Sequence, residues 1–69
     1  MTIEFIDLKG GSYIKQWPNW MESLIPQKGD CVIIHYGDNN EEKVQYVVHH
    51  RVIDGTEPDK IVVVVDAME

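Results

Sequence analysis

Eleven residues from Lys43 to Ile53, KVQYVVHHRVI, contain neither Gly nor Pro and are dominated by β-branched and aromatic side chains. Such a run packs well on a pleated surface and poorly in a helix, so it predicts a long central strand. CVIIHY (Cys31 to Tyr36) and KIVVVVD (Lys60 to Asp66) share its character and are separated from it by the turn-rich GDNNEE and DGTEPD. The three segments together predict an antiparallel meander.

The 69 residues suffice for one domain spanning residues 1–69, with no repeat, linker or shift of composition. A chain this short buries only about 60% of its unfolded-state surface, so its core is thin. Twelve carboxylates against six Lys and Arg leave a net charge of -6. That field repels phosphate backbones and anionic lipid heads, which disfavours nucleic acid and membrane surfaces as partners. Cys31 is the only cysteine, which excludes an intrachain disulfide and points to a reducing, cytoplasmic setting. The amino terminus, MTIEFIDLKGG, lacks the basic lead-in of a secretory signal. The longest apolar run, Ile61 to Val65, is far short of the roughly 20 residues a membrane-spanning helix needs.

Upstream, Thr2 to Leu8 and Ser12 to Trp17 read as two strands joined through Gly10 and Gly11, which can adopt the positive φ of a tight turn. Their alternation is imperfect, and a bulge or register slip is expected between them. Asn19 to Glu22 has capping-box spacing, which predicts one helical turn from Trp20 to about Leu24, stopped by Pro26. The apolar side chains Trp17, Trp20, Met21, Leu24 and Ile25 should plug one end of the sheet.

Burial favours a register with Tyr36 opposite Val44, Ile34 opposite Tyr46 and Val32 opposite Val48, which makes one face of that hairpin wholly apolar. Cys31 then meets His49, Ile33 meets Val47, and His35 meets Gln45 on a mixed second face. A bulge at the His49-His50 step is expected to bend the long strand. Pro58 helps to end it, the valine run should be covered on both faces, and Asp66 to Glu69 should fray. The resulting fold class is mostly β, a small five-stranded antiparallel barrel or bent sheet with one short helical turn. The succession IPQKGD, VII, YVVHHR and IVVVV resembles that of small SH3-like barrel proteins of bacteria and their phages. That resemblance covers about 40 residues, from Ile25 onward, and implies a fold without implying any catalytic or ligand-binding residue.

Cys31, His35, His49 and His50 are the residues that could ligate zinc or form a thiol-base pair. In a regular strand, however, His49 and His50 point to opposite faces, and His35 lies roughly 13 Å along the strand from Cys31. No metal or other cofactor is therefore expected, and His50 is expected to be partly buried and hydrogen-bonded. The carboxylates of the two polar loops lack calcium-loop spacing, and the tyrosines lack the Lys and Arg flanks of a base-stacking platform. The apolar residues exceed what one thin core can hold. The favoured function is accordingly a non-enzymatic module for protein interaction or self-assembly, with Ile33, Val47, Val62, Val64, Trp17 and Trp20 as candidate interface. In particular, the Ile61 to Val65 strand is expected to present an open edge unless the amino-terminal strand covers it. The alternatives are a small metal-dependent or Cys-His enzyme centred on Cys31, His35 and His49, and a nucleic-acid-associated barrel or acidic mimic.

Overall fold

A computed structural model describes residues 1–57 and 59–68. Five strands occur in the order β1 (Thr2–Asp7), β2 (Tyr13–Trp17), β3 (Cys31–Tyr36), β4 (Glu42–Ile53) and β5 (Lys60–Ala67). They form one sheet in the spatial order β2-β1-β5-β4-β3, curled into a half-barrel. The meander β3-β4-β5 is present, as the turn chemistry predicted.

The middle of the sheet is β5, not β4. The long strand lies one place from the edge, and β5 pairs with β4 on one side and β1 on the other. The β1–β5 pair is parallel, from Thr2 opposite Lys60 to Asp7 opposite Val65, so the sheet is mixed rather than purely antiparallel. Position explains composition. A strand with a neighbour on each side has its whole backbone in ladders, and β-branched residues suit it best. Ile61, Val63 and Val65 are buried on the core face, whereas Val62 and Val64 are half-buried on the outer face.

The core joins Ile3 and Phe5 from β1, Ile34 from β3, Tyr46 and Val48 from β4, and the three inward residues of β5. The segment between β2 and β3 covers part of this face. Trp17 and Trp20 stack edge-on against Phe5 at centroid distances of 5.4 and 5.9 Å, and against each other at 5.6 Å. The Trp20 amide donates to the Met1 carbonyl at 2.8 Å, and its indole N–H donates to the Leu24 carbonyl at 3.0 Å. The predicted plug is thus formed by Trp17, Trp20 and Ile25, while Met21 and Leu24 remain exposed. Its helical turn is shorter than expected, a 3-10 turn over Glu22–Leu24. Met21 rather than Asn19 takes the cap position, and no side chain caps it.

Both expected irregularities are present. Lys15 pairs with Phe5 and Tyr13 with Ile6, so Ile14 is the extra residue of a bulge. In β4, Val48 pairs with Val65 and His50 with Val64, leaving His49 as the bulged residue. Gly10 and Gly11 adopt φ of 88° and 68° at the first turn. The β3–β4 register differs from the expected one by two residues: Cys31 faces Val47, Val32 faces Tyr46, Ile33 faces Gln45, Ile34 faces Val44 and His35 faces Lys43. The loop sets the offset. Gly37 and Asn40 hold positive φ and the Asn40 amide donates to the Gly37 carbonyl, which closes the turn early enough to pair Tyr36 with Glu42. At the other end of the chain, Asp66 and Ala67 belong to β5 and Met68 donates to the Gln45 carbonyl at 2.8 Å, so this stretch is tied down rather than frayed. Pro58 and Glu69 lie outside the described residues.

Candidate interaction edge and outer face

The candidate interface residues separate into two groups. Trp17 and Trp20 belong to the aromatic cluster on Phe5, on the core side of the sheet. Ile33, Val47, Val62 and Val64 occupy the outer face. There, the rows Ile6–Val64–His50 and Glu4–Val62–Val52 run across three strands. Ile6, Val47, Val62 and Val64 are half-buried, and Ile33 and Val52 are 46% and 45% exposed. No element of the described chain packs over this face; the expectation that both faces of the valine run are covered is not met. Because β5 is central, Val62 and Val64 offer side chains to a partner but no free backbone, which overturns the expected open edge along Ile61 to Val65.

The outermost strands are β2 and β3, with β4 running on past the start of β3 from His49 to Ile53, and the two outermost strands differ in chemistry. Edge strands of soluble proteins are usually blunted by charge, Pro or a bulge, because unpaired N–H and C=O groups invite another strand. β2 has all three devices: the bulge at Ile14, the Lys15 ammonium over the Trp17 ring at 5.1 Å, and Pro18 directly after its last residue. β3, CVIIHY, has no Lys, Arg, Asp, Glu or Pro and no bulge.

The ladder phase fixes which groups of β3 are free. The Val48 amide donates to the Asp30 carbonyl at 2.8 Å, and the Gln45 carbonyl is turned to Met68 on the β5 side. Bonded and non-bonded pairs alternate in an antiparallel ladder, so Val32, Ile34 and Tyr36 direct their backbone groups to β4. Cys31, Ile33 and His35 direct theirs outward, and their side chains are exposed. Beside this edge runs a groove of about 380 Å³ between Trp20, Leu24 and Pro26 of the connecting segment and Asp30, Cys31, Val32 and Ile33 at the start of β3.

The residues of the metal or Cys-His alternative are not gathered. Val47, not His49, stands opposite Cys31, and the Cys31 thiol lies 3.8 Å from the Met68 sulfur. The bulge does bring His49 and His50 together, contrary to the opposite-face argument: their Nδ1 atoms are 2.7 Å apart, one ring donating to the other. Both rings are exposed, which corrects the expectation that His50 is partly buried. Among the described residues no group of three or more His, Cys, Asp or Glu is placed to hold a metal ion.

A second cleft of about 360 Å³ is rimmed by Thr2, Gln16, Glu57, Asp59 and Lys60. Its cation is already engaged: Lys60 binds Glu4 at 2.7 Å and Glu57 at 3.6 Å. The Glu4 hydrogen bond holds the Lys60 ammonium pKa above its ordinary value. In the adjoining turn, hydrogen bonds from the Thr56 amide and hydroxyl hold the Asp54 carboxyl below the usual carboxylate range. This arrangement orders a turn and leaves no surplus positive charge for an anion.

Asp66 Oδ1, on the outer face, is shielded from solvent and has no hydrogen-bond partner among the described residues. It belongs to the row Cys31–Val47–Asp66, which runs inward from β3 to the central strand. The sequence marked Ile33 and Val47 as surplus apolar residues but gave no sign of Asp66, because its orphan oxygen depends on how its neighbours shield it. No helix among the described residues is long and apolar enough to cross a membrane. No protein-family model, curated protein or solved structure matches the chain.

Proposed function

We propose that this chain is a non-enzymatic interaction module that takes a protein partner by strand addition along β3, beside the partly apolar outer face, in a reducing cytoplasmic setting. The observation that carries it is the unequal treatment of the two edges: β2 is blunted three ways, and β3 not at all. Strand addition gains affinity from main-chain hydrogen bonds and selectivity from alternate side chains, and β3 supplies outward backbone at Cys31, Ile33 and His35. The curled sheet is compatible with the SH3-like barrels that the sequence resembles, with the parallel β1–β5 pair as its departure from an all-antiparallel barrel. The net charge of -6 speaks against nucleic acid.

The test is affinity capture from the native host with the parent chain and with Ile33→Lys, each first shown to keep its β circular-dichroism spectrum. Ile33→Lys sets a charge in the middle of the edge and should abolish retention. A protein retained equally by both chains would place the binding surface elsewhere.

A further inference from the structure

We infer that the strand added to β3 is β3 of a second copy, running antiparallel about a two-fold axis at Ile33. This rests on the strand-addition proposal and names its partner. The outward backbone groups belong to three residues spaced symmetrically about Ile33. A two-fold there pairs Ile33 with Ile33 of the second copy and Cys31 with His35 of the second copy, twice, and each pair exchanges both N–H and C=O bonds. The strand itself has no formal charge, so the Cys31 to His35 ladder places no ion between the two copies.

Charge outside the strand favours the antiparallel sense and this partner. The turn entering β3 contains Lys28 and Asp30 and is neutral, whereas the loop leaving it contains Asp38 and Glu41 and leads into Glu42, with Lys43 offsetting one of these three carboxylates. Lys28 is exposed and takes part in no ion pair among the described residues. The antiparallel arrangement sets the acidic exit of each copy at the Lys28 end of the other and keeps the two acidic exits apart. A parallel pairing would bring the acidic loops together, at a cost in an already acidic chain. The exposed thiol and imidazole acquire neighbours in the same step, and the two sheets become one continuous sheet of ten strands.

Two measurements test this. The first is sedimentation equilibrium of the parent, Ile33→Lys and His35→Lys, with circular dichroism as the folding check; His35→Lys alters an exposed position should Ile33→Lys fail to fold. The parent should be dimeric at high micromolar concentration, and the lysine variants should raise the dimer dissociation constant by at least about tenfold. The second is oxidation of Ile33→Cys in a Cys31→Ser background. The paired Cα atoms would lie about 5.5 Å apart, within disulfide range. Covalent dimer should form at least about tenfold faster than from Val52→Cys in the same background, a control on the outer face of β4 beyond the end of β3. A parent that stays monomeric, a dimer indifferent to both lysines, or equal oxidation rates would overturn the self-pairing. If self-pairing fails while a host protein is retained by the parent and lost by Ile33→Lys, strand addition stands with a different partner. If that retention is absent as well, the proposed function falls with it.

Discussion

The phenolic oxygens of Tyr36 and Tyr46 lie 2.9 Å apart, a hydrogen bond between β3 and β4 residues that are not cross-strand partners: Tyr36 pairs with Glu42, and Tyr46 with Val32. Tyr46 is 7% exposed and Tyr36 is half-buried, so the bond lets two aromatic bodies enter the core while satisfying both hydroxyls. Desolvation, followed by this hydrogen bond, pushes the Tyr36 pKa up to about 12. The folded state therefore holds that proton more tightly than the unfolded chain, whose tyrosine titrates near 10. The resulting stabilisation is fully present below about pH 10 and is lost as pH rises toward 12. Denaturation midpoints measured from pH 9 to 12 should fall more steeply in the parent than in Tyr36→Phe, and equal slopes would contradict this assignment.

Phe5 connects the sheet to its covering segment through both tryptophans and is fully buried. Phe5→Ala should cost about 3–5 kcal/mol, and Tyr46→Ala about 2–5 kcal/mol. Phe5→Ala should also shift the tryptophan emission to the red, because it removes the ring that both indoles pack against. A melting temperature within a degree or two of the parent in either variant would contradict the core described above.

Asp66 should be a site where stability was given up. Replacing it with Val removes the shielded acceptor and continues the β-branched run, so urea denaturation should show a gain of about 1 kcal/mol. If the carboxylate receives a donor from a partner, the same change weakens association while it stabilises the free chain. A lower midpoint would mean that Asp66 is already satisfied in solution.

Cys31 and His49 are exposed, and neither fills the core. Cys31→Ser and His49→Gln should each change stability by less than about 0.5 kcal/mol. Added zinc should leave the melting temperature of the parent unchanged, since a ligand that binds only the native state would raise it. A zinc-dependent rise abolished by either substitution would instead support the metal-dependent alternative.

What the sequence made legible is what local chemistry decides. The β-branched runs named the strands, the paired glycines named the first turn, and the bulges were signalled by the imperfect alternation of the first hairpin and by the His49-His50 step, though the position of the first, at Ile14, was not. The β3–β4 offset was not legible, because alternation sets only which residues share a face. A slip of two residues keeps Val32, Ile34, Tyr46 and Val48 inward, and only the backbone of Gly37 and Asn40 chooses between the two registers. Strand order was hidden for another reason. That β1 lies alongside β5 is a contact between residues near 2 and residues near 60, and nothing local to either segment records it. The same gap left open whether the amino-terminal strand covers Ile61 to Val65; it does, and Cys31 to Tyr36 is left as an outermost strand.

The central place of β5 also dictates how the chain can fold. The β1–β2 and β3–β4 hairpins form from neighbouring residues, yet each holds only part of the core: Ile3 and Phe5 in one, Ile34, Tyr46 and Val48 in the other. Isolated two-stranded hairpins are marginal in water. They are joined only when Ile61, Val63 and Val65 are inserted between them, and the parallel pairing with β1 must first close a loop of nearly the whole chain. Folding should therefore be slow for so small a domain and all-or-none, with β5, the strand that joins the two hairpins, acting as the committing one. Until it docks, the uncharged edge of β3 and the apolar side chains on both faces are open to solvent together, and this is the interval in which the chain is most exposed to mispairing.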